Sequence, residues 1–121
     1  MGDNIMQNLI DLGIDATGAL ERFAGHQDMY LKWIFKFLDD ENYDQAQKFY
    51  QLKDWKSMLF HIHNLKGVTG NLGMNRLYRL CHDMVIAIRA EDFQTVESLD
   101  PMFVEEYRKV CSTLKSLQEK L

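Results

Sequence analysis

The sequence predicts an all-α chain, an antiparallel up-down four-helix bundle preceded by one or two short N-terminal helices. Three observations predict it. One proline occurs in 121 residues, and most of the seven glycines lie near the start or in the run Gly67, Gly70, Gly73; a chain so poor in breakers favours helix. Apolar residues recur at spacings of three and four through four long segments. No stretch alternates apolar and polar residues as a half-buried strand does.

Ile5 to Leu12 suits a short first helix. Asp15 is placed to cap a second, Ala16 to Phe23, which Gly25 ends. From Asp28 the pattern strengthens: Leu31, Ile34, Phe35 and Leu38 recur at helical spacing and continue through Ala46, Phe49 and Leu52. Asp39-Asp40-Glu41-Asn42 interrupts this run but holds neither glycine nor proline, so one long helix over 28–52, kinked there, is expected. Asp54 caps the next, from Trp55 to about Thr69, and Gly70-Asn71-Leu72-Gly73 is too glycine-rich to extend it. A third long helix, from about Met74 to Ala90, carries Leu77, Leu80, Cys81, Met84 and Ile88 on one face. The last begins at Phe93. Asp100-Pro101 has the form of an internal cap and first helical residue, so a kink or restart is expected there. Short links make neighbouring helices antiparallel, and their apolar faces must bury against one another.

Composition narrows the function classes. Cys81 and Cys111 stand thirty positions apart with no CxxC companion, neither a disulfide framework nor a zinc pattern. No segment approaches the roughly 18 uninterrupted apolar residues of a membrane span, and no basic stretch followed by an apolar run opens the chain. A cytoplasmic location is therefore expected, with no membrane partner. The net charge of −4 is uneven. Lys56 to Ala90 holds five basic residues against Asp83 alone, which leaves nine basic against seventeen acidic elsewhere. General nucleic-acid binding wants a broad positive surface and is not expected. A basic hairpin on an acidic chain suits a local site for phosphate or an acidic partner. There is no Gx4GK[ST] loop for a nucleotide and no Glu-x-x-His pair for a di-iron centre.

The informative stretch runs from His61 to Gly73. At about 100° per residue, Met58, Ile62, Leu65 and Thr69 share a buried face. His63, Lys66, Gly67 and Gly70, at i, i+3, i+4 and i+7, form a stripe along one edge of it. An imidazole, an ammonium and two residues without side chains thus share one patch of surface. A neutral imidazole is a competent phosphoryl acceptor, and an ordinary pKa of about 6.5 leaves it largely neutral near pH 7. Lys66, one turn on, can pair with the phosphoryl oxygens. Gly67 and Gly70 each cost roughly 1 kcal/mol of helix stability relative to alanine. Clearance for another protein at the histidine offsets that cost.

The run His63, Leu65, Lys66, Gly67, Gly70, Asn71, Leu72, Gly73 resembles the signature of histidine phosphotransfer (HPt) domains of two-component phosphorelays. Ile14-Asp15 and Leu20 to Gly25 resemble the family's entry segment, Asp54-Trp55 precedes the active helix as it often does there, and a proline early in the last helix is common. The likeness covers about residues 10–120, so residues 1–121 read as a single HPt domain. It implies His63 as phosphoacceptor, Lys66 as electrostatic partner of the phosphoryl group, Gly67 and Gly70 as partner access, and Gly70 to Gly73 as the closing turn. It implies that phosphate comes from a phosphoaspartate receiver domain, of a response regulator or a hybrid histidine kinase, and passes to another. The receiver supplies Mg²⁺ and most of the catalytic groups, so this domain, expected to be a monomeric carrier rather than an enzyme, binds no cofactor, metal or ATP. Asn71 and Arg89 stand as candidate partner or phosphate contacts. One position departs: where many members carry Gln or Glu against the other imidazole nitrogen, this chain has Val85. The ring's tautomer is then left to a backbone group, a water, another side chain, or none.

Plainer readings stand beside these. His61 and His63 point about 200° apart on a helix and cannot share a metal. His26 and His82 have no ligand-spaced partners and are expected on the surface. Asn71 suits a turn. Tyr30, Trp33 and Phe37 form a second apolar stripe on the long helix, which fills the core or supplies a docking patch beside His63. The competing function is a bundle that binds a response regulator without accepting phosphate.

Overall fold

The computed structural model describes residues 2–121, with side chains described from residue 4 onward. Every regular element is helical: α1 (Gly2–Asp11), α2 (Ala16–Arg22), α3 (Gln27–Lys36), a 3-10 turn (Phe37–Asp39), α4 (Asn42–Gln51), α5 (Trp55–Leu72), α6 (Asn75–Arg89) and α7 (Phe93–Glu119). The caps fall where short polar side chains allow. Asp15 accepts from the Gly18 amide at 3.0 Å, Asp54 from the Ser57 amide and hydroxyl at 3.2 and 2.8 Å, and Asp92 from the Thr95 amide at 3.3 Å. Each satisfies donors that a helix N-terminus leaves free.

Helices α4 and α5, α5 and α6, and α6 and α7 pack as successive neighbours. The links between them are short, so each pair runs antiparallel. The first member of the bundle is a composite of α3, the 3-10 turn and α4, and α3 reaches both α5 and α7. Helix α2 lies on the end of α5. Met58, Ile62, Leu65 and Thr69 of α5 are fully buried, and the three apolar ones share one core cluster with Leu77, Cys81 and Met84 of α6 and Phe103 and Leu114 of α7. Burial of each large apolar side chain contributes roughly 1.5–3 kcal/mol. On the α4–α7 side Tyr43 stacks on Tyr107 with ring centroids 3.6 Å apart and lies 5.2 Å from Phe103. Both cysteines are free, and burial pushes the Cys81 thiol up to about 12 against the opposing pull of Lys66.

Three sequence-based expectations are corrected. Residues 28–52 do not form one helix. Asp40 is extended (φ −71°, ψ 129°) and its carboxylate accepts from the Asn42 amide at 2.8 Å, a local bond that competes with the helical ladder. The active helix does not stop near Thr69 but runs through Gly70 and Asn71 to Leu72. Its C-terminal carbonyls are capped from outside: Arg22 donates to Gly70 and Asn71 at 2.8 and 3.2 Å, and the Tyr30 hydroxyl to Leu72 at 2.9 Å. These bonds offset what two glycines and a turn-favouring asparagine cost. Only Gly73 turns, at φ +78°, and a Cβ there would run into the Asp15 carbonyl. Finally, α7 is unbroken at Asp100-Pro101. Asp100 is not a cap: it is buried, with Gln47 of α4 donating to its carboxylate at 2.8 Å.

Candidate functional site

The site is built on the outer edge of α5. Once Met58, Ile62, Leu65 and Thr69 are buried, the helical repeat turns His63 and Gly67 outward. His63 is exposed near the middle of α5. Among the described residues no side chain or backbone group hydrogen-bonds its ring. Val85 of α6, which offers the ring no polar partner, is buried apolar core.

Gly67, one turn beyond His63, has nothing within 4 Å of where a Cβ would stand. It therefore leaves open space beside the imidazole and does not serve a helix crossing. Gly70 differs. A Cβ there would lie 3.2 Å from the Tyr78 ring, so its smallness admits that ring between α5 and α6. Lys66 is half-buried between them, its Nζ 5.8 Å from the Tyr78 ring centroid. That cation–π contact keeps the ammonium on the α6 side of α5.

Arg89, at the end of α6, shares a shallow groove with Lys56, Leu59, Phe60, His63 and Asn64. Phe60 projects from it, 61% exposed. Sequence reasoning singled out neither Lys56 nor Phe60; their positions, seven and three residues before His63, were the available signal. Asn71 is exposed in the last turn of α5. It lies away from His63, in a second, larger groove with Phe23, Trp33, Phe37, Asp39, Asp40 and Val68. The apolar stripe on α3 divides: Tyr30 and Phe37 are buried, while Trp33 remains 48% exposed at that groove.

The other histidines sit apart from the site. His61 turns toward α4, where its Nδ1 lies 3.0 Å from Asn42 Oδ1 and its ring stacks on Phe49. His26 is exposed. His82, expected on the surface, is half-buried against Tyr78, and its Nδ1 is enclosed without a hydrogen-bond partner among the described residues. The surface expectation rested on its lack of ligand-spaced partners, whereas its spacing from Tyr78 puts it on the flank facing α5.

No helix among the described residues is long and apolar enough to cross a membrane. Residues 31–116 match the family model of the Hpt domain. No curated protein and no solved structure shows a significant match to the chain. The family match begins after α2, so the entry segment and its caps on α5 stand on the structure alone.

Proposed function

The chain belongs to the Hpt domain family, phosphoryl carriers of phosphorelays that have no ATP site, and from that premise we propose that it accepts a phosphoryl group on His63 from a phosphoaspartate receiver and delivers it to another. The observation that carries this is the pairing of an outward, unhydrogen-bonded His63 with empty space at Gly67 one turn away. A reacting partner needs both.

In the forward step a ring nitrogen of neutral His63 attacks phosphorus. The P–N bond forms as the P–O bond to the receiver's aspartate breaks, and the carboxylate leaves with the electron pair. Lys66 swings from the Tyr78 face to offset charge on the phosphoryl oxygens. The return step reverses these events onto a second receiver. Mg²⁺ belongs to the receiver, which supplies charge neutralisation around phosphorus. This chain contributes the nucleophile, one cation and an unobstructed approach, in a cytoplasmic, monomeric carrier.

Incubation with receiver domains loaded by acetyl phosphate tests the proposal. Acid-labile, base-stable phosphate should appear on the wild-type chain and be absent from His63→Gln. Phosphate on His61 with His63 intact, or tight receiver binding with no incorporation, would remove it. The second outcome would favour an interaction module.

A further inference from the structure

We propose that opposite charges toward the two ends of α5 hold the receiver in one orientation, its acidic rim on Lys56 and Arg89 and a basic, apolar segment in the Trp33 groove. The proposal rests on His63 as the phosphoacceptor and adds which surfaces of this chain select the partner.

The two grooves follow one another along α5, the first in its N-terminal half and the second at its C-terminal end. The first, on the α6 side, is lined by Lys56, Leu59, Phe60, His63, Asn64 and Arg89, with two cations and no carboxylate. The acidic residues closest to it in the chain are engaged elsewhere: Asp54 caps α5 through Ser57 and Asp92 caps α7 through Thr95. Exposed Glu91, two positions after Arg89, is the exception. The second groove, on the α3–α4 side, brings Trp33, Phe37 and Val68 together with Asp39 and Asp40. Exposed Glu41 extends that acidic run. Its lining cation, Lys36, lies over the Trp33 ring at 5.0 Å, and Arg22 below it is held by the carbonyls of Gly70 and Asn71. The surface carrying His63 is thus basic toward one end of α5 and acidic toward the other.

Size and continuity point to one partner over both. From Lys56 to Asn71 is about 22 Å along a helix rising 1.5 Å per residue. A standard interface covers about 800 Å² on each partner, wide enough to span that length. His63 lines the first groove and the open strip at Gly67 lies between the two, so a protein that reaches the imidazole covers the inner edge of each. Phe60 on one side and Trp33 on the other are the exposed apolar groups that such a partner would bury, the type of residue that anchors interfaces. A receiver's transfer site is a cluster of carboxylates around the phosphoaspartate. It meets favourable potential over Lys56 and Arg89, and repulsion if turned end for end onto Asp39 and Asp40.

The test uses the full chain, receiver domains of the source organism loaded with acetyl phosphate, and phosphoramidate as a small donor. The variants are Lys56→Glu with Arg89→Glu, Asp39→Lys, and Trp33→Ala, with melting curves to establish folding. Asp39 is exposed and makes no hydrogen bond among the described residues, so its reversal should leave the helices intact. For the fastest donor receiver, each reversal should lower the transfer rate about tenfold at low salt, and the deficit should shrink as salt screens the charges. Trp33→Ala should lower it at every salt concentration. Labelling of His63 by phosphoramidate should be unchanged in Asp39→Lys and Trp33→Ala. In ¹⁵N spectra the Trp33 indole N–H should shift on adding that receiver, while Trp55, stacked on Phe93 outside both grooves, should not. Wild-type rates in Asp39→Lys and Trp33→Ala, or an unmoved Trp33 signal at saturation, would overturn the proposal while leaving His63 as acceptor. If phosphoramidate and every receiver fail to label the wild-type chain, the underlying reading falls instead.

Discussion

Gly70 and Tyr78 meet across the α5–α6 contact, where a Cβ on the glycine would stand 3.2 Å from the aromatic ring. The same ring stacks near His82 and lies beneath the Lys66 ammonium. A glycine that looked like part of an access patch therefore seats the aromatic that holds the site's lysine.

That contact predicts a steric cost. Gly70→Leu should destabilise the fold by about 1–3 kcal/mol, the usual range for overpacking, although leucine is the better helix former. Combining it with Tyr78→Ala should recover part of the loss, seen as a positive coupling in a double-mutant cycle by urea denaturation. A Gly70→Leu chain as stable as the wild type would show that the ring moves away freely.

Lys66→Ala should slow transfer or shorten the phosphohistidine lifetime while leaving the fold nearly unchanged. The lost contact over Tyr78 and the half-buried position limit the stability change to about 0.5–1 kcal/mol. Unaltered transfer and lifetime would reduce the lysine to solvated surface.

Much of this architecture was legible because it depends on local rules. The apolar spacing of Met58, Ile62, Leu65 and Thr69 located the buried face, which in turn directed His63 outward. Asp15 and Asp54 were recognisable caps. What could not be read was decided by distant partners. Continuation of α5 through Gly70 depends on Arg22 and Tyr30, more than 40 positions away. The role of Asp100 depends on Gln47, 53 positions away. Lys53 and Glu91 adopt left-handed conformations, φ +56° and +57°, without the glycine that would have announced a helix end. The grooves beside His63 combine separate helices, so Phe60 and Lys56 carried no motif that would single them out.

Asp100 gives a pH dependence with a definite sign. Burial raises its carboxyl pKa, against the lowering influences of Gln47 and Lys53. A carboxyl with a raised folded-state pKa holds more protons in the native state than in the unfolded one. Stability therefore falls as pH rises from the unfolded value, about 3.9, through the folded value, and the cost is complete above it. Asp100→Asn keeps an oxygen acceptor for Gln47 and removes the charge. It should raise the melting temperature at pH 7, and the advantage should shrink as pH falls toward 4. A variant less stable than wild type at pH 7 would show that the charged hydrogen bond outweighs desolvation.

Gly67 makes the sharpest test of access. Its Cβ direction is empty, so Gly67→Gln should keep or slightly raise helix stability, since glycine is the poorer helix former by about 1 kcal/mol. The new side chain would project beside His63 into the space a receiver must enter. Transfer from a phosphorylated receiver should fall sharply, whereas phosphoramidate, which needs only a narrow approach, should be hindered far less. The two donors thus separate access from chemistry within one variant. Normal uptake from the receiver would mean that the open space at Gly67 is not used. Equal failure with both donors would place the disturbance at His63 itself, and clearance would no longer explain why glycine stands there.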